Sequence, residues 1–159
     1  MGKGAAVGRV TRRNIVLAGG VFTLASALGV QQYFTPPAHD RARLTVQQAY
    51  DGARTGQILL VDIRTPREWR ASGVPEGAIL LDMRREDFVA ALSQHVQGQT
   101  DRPIALICAR GVRSARMTLR LVDAGFTQII DVPEGMLGSK AGPGWIRSKL
   151  PVLKWNGTA

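Results

Sequence analysis

The chain carries a single cysteine, Cys108, inside the stretch ALICARGVRSARM, Ala105 to Met117. An apolar run precedes it, and Arg110, Gly111 and Arg113 follow within five residues. A thiol attacks as its thiolate, and neighbouring positive charge favours that form. A glycine lets successive backbone N–H groups curl into a nest for an anion. Arginine adds permanent charge and a fork of donors. Together these residues suit a nucleophile held against an anionic substrate. The plainer reading is a small buried hydrophobe, which is what most unpaired cysteines are. Two arginines and a glycine are poor material for a packed core, so a reactive, anion-facing Cys108 is expected.

Such a loop needs elements on both sides. Pro103 to Ile107 reads as a short apolar strand, and Ser114 to Ala124 as a helix stopped by Gly125. Ligands of open parallel sheets bind beyond the carboxyl ends of the strands, and Cys108 stands at such an end. The helix that follows offers unpaired N–H groups and a partial positive charge at its start. Upstream, Thr45 to Gly56 reads as a helix with Thr45 as cap and Gln48 as its capping-box partner. ILLVDI, Ile58 to Ile63, is an apolar run of the kind buried on both faces of a parallel sheet. Thr65-Pro66-Arg67-Glu68 combines a cap, a proline at the first helical position and a capping-box glutamate. A strand near Ala78 to Asp82, a helix from Glu86 to Val96 and a strand from Gln128 to Val132 complete the alternation. Strand and helix in turn imply an α/β domain with a largely parallel sheet.

Composition narrows the function classes. A length of 159 residues is enough for one ordinary domain. One cysteine excludes an internal disulfide and any cysteine pair for metal or dithiol chemistry within the chain. His39 and His95 lie far apart, no acidic cluster accompanies either, and no metal site or cofactor is implied. The net charge of +9 raises the question of nucleic acid. Setting aside Lys3, Arg9, Arg12 and Arg13 leaves 17 basic against 12 acidic residues, with no long basic run and no interleaved aromatics. Nucleic-acid binding is therefore not expected, and a basic surface that attracts anions is.

The first residues read as an address. VGRVTRR precedes the uncharged segment IVLAGGVFTLASALGV, Ile15 to Val30, with Ala25-Ser26-Ala27 as a cleavage candidate. Thr11-Arg12-Arg13-Asn14-Ile15-Val16-Leu17 resembles a twin-arginine signal, and glycines dilute the apolar segment. The alternative is an uncleaved membrane anchor, although reaching a span of about 20 residues requires including Gln31 and Gln32. Both readings place the domain in the periplasm or cell envelope, soluble after cleavage or attached by its N-terminal segment. The expected organisation is a signal or anchor over 1–34, a linker over 35–43, one domain over 44–152 and a tail over 153–159.

Three stretches carry a family resemblance. LVDIRTPREWRASGVPEGAILLD contributes Asp62, Arg64, Pro66, Glu68, Gly73 and Gly77-Ala78. CARGVRSARMTLRLVDAGF contributes the cysteine loop and its helix, and VPEGMLGSKAGPGWIRSKLPV a closing segment. In that order they resemble a rhodanese-like sulfurtransferase domain. The resemblance implies a three-layer α/β fold with a central five-stranded, mainly parallel sheet flanked by helices. It implies that Cys108 is catalytic and takes a sulfane sulfur from a small anionic donor such as thiosulfate. An external thiol, a protein acceptor or cyanide would then remove the sulfur. Arg110, Gly111, Val112, Arg113 and Ser114 would bind substrate, while Asp62 and Arg64 would brace the loop as a buried pair. The segment Gly73-Val74-Pro75-Glu76-Gly77-Ala78 departs from the family pattern by lacking a histidine and inserting Glu76. Trp145 either lines the pocket mouth or packs under the tail.

Two rivals remain. Cysteine-loop phosphatases and arsenate reductases use a similar thiolate and arginine. Their loops place one more residue between cysteine and arginine than the four that separate Cys108 from Arg113. A non-catalytic sulfur carrier or docking module would share the first step, since no second cysteine can resolve a persulfide within the chain.

Overall fold

The structure, a computed structural model, describes residues 34–157. All of the expected export-signal or anchor segment but Phe34 lies outside the described residues. Among the described residues, no helix is long and apolar enough to cross a membrane.

Helix α1, Val46–Arg54, starts from a complete capping box: the Gln48 N–H donates to Thr45 Oγ1 at 3.2 Å, and the Thr45 N–H donates to Gln48 Oε1 at 2.9 Å. Strand β1, Leu59–Asp62, follows, then helix α2, Pro66–Ser72, with Thr65 and Glu68 forming a second box. A cap of this kind contributes about 1 kcal/mol, which matters most for a helix of seven residues. Strand β2 is Val74–Pro75 and strand β3 is Ile79–Leu80. Helix α3, Phe88–His95, precedes strand β4, Ile104–Ile107. Helix α4, Val112–Asp123, and strands β5, Ile129–Val132, and β6, Val152–Leu153, close the series.

The main sheet has the order β3-β1-β4-β5 and is parallel throughout. The α/β architecture matches the expectation, but the sheet has four strands rather than five. Where a fifth would pair with β5 there is only a single bridge, Arg43 to Asp131. The bridge is flanked by two backbone bonds, from the Leu44 N–H to the Asp131 carbonyl and from the Asp131 N–H to the Ala42 carbonyl, and helix α1 starts directly after it. A two-stranded ribbon, β2 against β6, is a feature the sequence did not announce.

Strand alternation divides the core between the faces of the sheet. Ile104 and Leu106 face Phe88, Leu92, Met117 and Leu121 of α3 and α4. Ala105 and Ile107 face Val46 and Ala49 of α1, together with Met136 and Trp145. Continuing that alternation by one step puts Cys108 on the α4 side, at the carboxyl edge of the sheet.

Candidate active site

Cys108 ends β4 and is 1% exposed. Its sulfur accepts the Gly111 N–H at 3.2 Å, and as a thiol it donates to Ser114 Oγ at 3.6 Å. The Ser114 hydroxyl is itself buried and donates to the Gly111 carbonyl at 3.1 Å. Gly111 is the N-cap of α4, so the amide that meets the sulfur belongs to the unpaired start of a twelve-residue helix. The helix begins two residues earlier than its sequence pattern suggests, which places half-buried Val112 and Arg113 in its first turn.

A second segment fixes the shape of this turn. Gly111 has φ 83°, and any side chain there would be driven into the Pro133 carbonyl. A Cβ at Gly135 would lie 2.6 Å from the Ala109 carbonyl carbon and oxygen. The Met136 N–H donates to the Cys108 carbonyl at 2.9 Å, and the Leu137 N–H to the Ala109 carbonyl at 2.9 Å. Residues 133–138 therefore clasp the cysteine turn backbone to backbone. Glu134, 4% exposed, anchors that clasp by accepting the Val46 N–H at 3.1 Å and the Gly144 N–H at 3.0 Å. The sequence signal for this support was the density of glycines at 135, 138, 142 and 144.

The two arginines differ. Arg113 forms a forked pair with Glu68, at 2.8 Å to Oε2 and 2.5 Å to Oε1. Glu68 keeps its capping bonds to Thr65 as well. Burial raises the Glu68 carboxyl, but the bonds from Arg113 and Thr65 outweigh it and hold the group at about 2. Glu68 in turn keeps Arg113 charged, and Cys108 adds to that effect. Arg110 is exposed, bonds only weakly to the Gly138 carbonyl at 3.4 Å, and meets no carboxylate among the described residues.

Asp62 and Arg64 form a fully buried pair at 2.6 Å. The pair forms as expected, but among the described residues its bonds do not reach the cysteine loop it was expected to brace: Arg64 continues to Ser72 Oγ and the Gly73 carbonyl, each at 2.7 Å. It ties the end of β1 to the end of α2. Burial pushes the Asp62 carboxyl up, against the pull of Arg64. Trp145 packs under the tail, fully buried, with its indole N–H donating to the Pro151 carbonyl at 2.9 Å. Another buried pair escaped sequence reasoning: His39 Nε2 lies 3.3 Å from Asp131 Oδ2, in β5 next to the clasp. Burial raises the Asp131 carboxyl, and Ser114 and His39 act against that.

A cysteine at the carboxyl edge of a parallel sheet, its sulfur on the N-cap amide of the next helix, is the geometry against which relatives can be compared. Residues 45–141 match the rhodanese-like domain family. The chain belongs to the rhodanese-like family. The thiosulfate sulfurtransferase GlpE of Glaesserella parasuis is 30% identical over 109 residues, 69% of this chain and 90% of that protein. A sulfurtransferase of Allochromatium vinosum is 28% identical over 101 residues, 64% of this chain and 83% of that protein. The fold is shared with the polysulfide-sulfur transferase homodimer of Wolinella succinogenes, at a TM-score of 0.58 and 22% identity, covering 87% and 94% of the two chains. The sequence of this rhodanese-like domain holds one thiol, Cys108.

Proposed function

We propose that the protein is a sulfurtransferase working through a persulfide on Cys108, with thiosulfate or a similar anionic sulfane compound as donor. One observation carries the reading. The Cys108 sulfur rests on the Gly111 N–H at the start of α4, and a cation without a carboxylate partner, Arg110, stands at the mouth of the turn.

The Cys108 thiolate attacks the outer sulfur of thiosulfate. The sulfur–sulfur bond of the donor breaks, and sulfite leaves with the bonding electron pair. Cys108 is left with an outer sulfur bearing the negative charge. The turn's backbone amides favour that anion because they are fixed in place before the reaction and need no reorganisation. Arg110 draws in the donor and neutralises its charge. Arg113, held by Glu68, shapes the first turn of α4 and supplies its field at a fixed distance. An external thiolate then attacks the outer sulfur, the bond to Cys108 breaks, and the electron pair returns to the cysteine. The twin-arginine-like N-terminal segment supports a site of action in the periplasm or envelope.

The test is thiocyanate formation from thiosulfate and cyanide by the full chain. Wild type is expected to turn over and Cys108→Ser to be inert. Equal rates in both proteins would overturn the reading.

A further inference from the structure

This inference rests on the sulfurtransferase reading and concerns its acceptor. Cys108 is the only thiol, so sulfur loaded on it leaves only to an outside group. Cys108 is 1% exposed, so that group must enter through the mouth of the turn.

The clasp that borders the cysteine turn carries exposed apolar residues, Leu137 bonded to the turn itself and Ile146 bonded to the clasp. Leu137 donates its N–H to Ala109, and Ile146 donates its N–H to the Met136 carbonyl at 3.1 Å. The two residues are 39% and 38% exposed, two of the few large apolar residues left in water among the described residues. Three exposed cations belong to the cysteine turn and to the segment that continues the clasp: Arg110, Lys140 and Arg147. Arg110 reaches the Gly138 carbonyl, and Arg147 reaches the Pro143 and Leu137 carbonyls at 3.0 and 3.3 Å. None of the three meets a carboxylate among the described residues. The nearest acid in sequence, Glu134, is buried and spends its oxygens on backbone amides. From Gly135 to Ala159 the chain has four lysines and arginines and no aspartate or glutamate.

Unpaired charge of one sign repels itself, and a partner of opposite sign relieves that cost and is steered toward the site. An exposed apolar pair at the centre of a polar rim is the usual anatomy of a protein contact. We propose that Leu137 and Ile146, rimmed by Arg110, Lys140 and Arg147, form the docking surface for an acceptor protein that presents its cysteine on an acidic surface segment. The transfer is an exchange without net oxidation. The acceptor thiolate bonds to the outer sulfur, the bond from that sulfur to Cys108 breaks, and Cys108 recovers the electron pair.

The test uses the full chain and two synthetic peptides of equal length, one with glutamates and a leucine around a central cysteine, the other with lysines in place of the glutamates. Binding is read by calorimetry with the peptide cysteine replaced by serine, so no sulfur chemistry is needed. The acidic peptide is expected to bind at least about tenfold more tightly than the basic one, with an affinity that falls as salt rises. Lys140→Glu and Ile146→Asp, whose side chains make no hydrogen bond among the described residues, are each expected to weaken it several-fold. Equal binding of the two peptides, or acidic-peptide binding unchanged in both variants, would overturn the docking surface. Sulfur transfer from thiosulfate-loaded protein to the cysteine peptides is then compared. Failure of Cys108 to load would defeat the sulfurtransferase reading, while the binding result would still decide the surface.

Discussion

Glu68 and Arg113 lie 45 residues apart and join the first turn of α2 to the first turn of α4 through two hydrogen bonds of 2.8 and 2.5 Å. One carboxylate thus caps a helix and fixes an arginine in the first turn of the helix that follows Cys108. Its folded value of about 2 lies below its ordinary value of 4.5. The stabilisation from this pair is therefore complete above pH 4.5 and is lost as pH falls toward 2. Glu68→Gln is expected to lower the melting temperature at pH 7 and to leave it unchanged near pH 2. Both groups are partly exposed, so the effect at pH 7 is expected to be no more than about 1 kcal/mol. Thermal melts across that range check it, and an equal loss at both ends would refute the pairing.

Gly111 and Gly135 are where the cysteine turn and its clasp touch. Gly111→Ala must adopt φ 83° and also collide with Pro133. The backbone conformation alone costs about 1–2 kcal/mol, and the collision adds to it. A loss of stability above about 2 kcal/mol is expected, with sulfur transfer abolished. Gly98→Ala is the control, because Gly98 has φ 76° with open space around it. It should lose only the conformational part and keep its activity. Urea denaturation of both variants separates strain from collision.

The Asp62–Arg64 pair has no solvent to fall back on. Arg64→Met leaves a buried carboxylate and is expected to cost about 3–5 kcal/mol. The double variant Asp62→Leu with Arg64→Met removes both charges and should recover most of that loss. Equilibrium unfolding of the single and double variants measures the difference. A double variant as unstable as the single one would mean that the bonds to Ser72 and Gly73, and not the charge pair, hold the region.

In the proposed mechanism Arg110 draws in the donor and Arg113, held by Glu68, supports the first turn of α4. Arg110→Ala is expected to raise KM for thiosulfate about tenfold, the size of one charge-assisted bond, with a smaller effect on kcat. Arg113→Ala is expected to lower kcat, because the turn loses its support. Steady-state kinetics with varied thiosulfate distinguish the two roles, and Arg113→Lys should restore only part of kcat because lysine lacks the fork.

Much of this fold was legible because its signals are local. Ile58 to Ile63 and Pro103 to Ile107 are apolar runs, and the Thr45 and Thr65 boxes each close within four residues. The position of Cys108 followed from strand, glycine and helix in order. What escaped was what the chain brings together from afar. Glu68 already had a complete local use as a capping residue, so nothing in the sequence pointed it at Arg113. His39 and Asp131 are 92 residues apart, and their types are common at surfaces. The β2–β6 ribbon uses two residues on each side, too few for any periodicity to show. The fifth strand was implied by family resemblance, and the structure holds one bridge, Arg43 to Asp131, in its place.

The most direct test of the account is the intact mass of the protein after incubation with thiosulfate, with Cys108→Ser alongside. A gain of one sulfur atom in the wild type, removed by cyanide and absent from the variant, is the predicted result. No gain in a wild-type protein whose Cys108 still reacts with a thiol reagent, or the same gain in the variant, would contradict it.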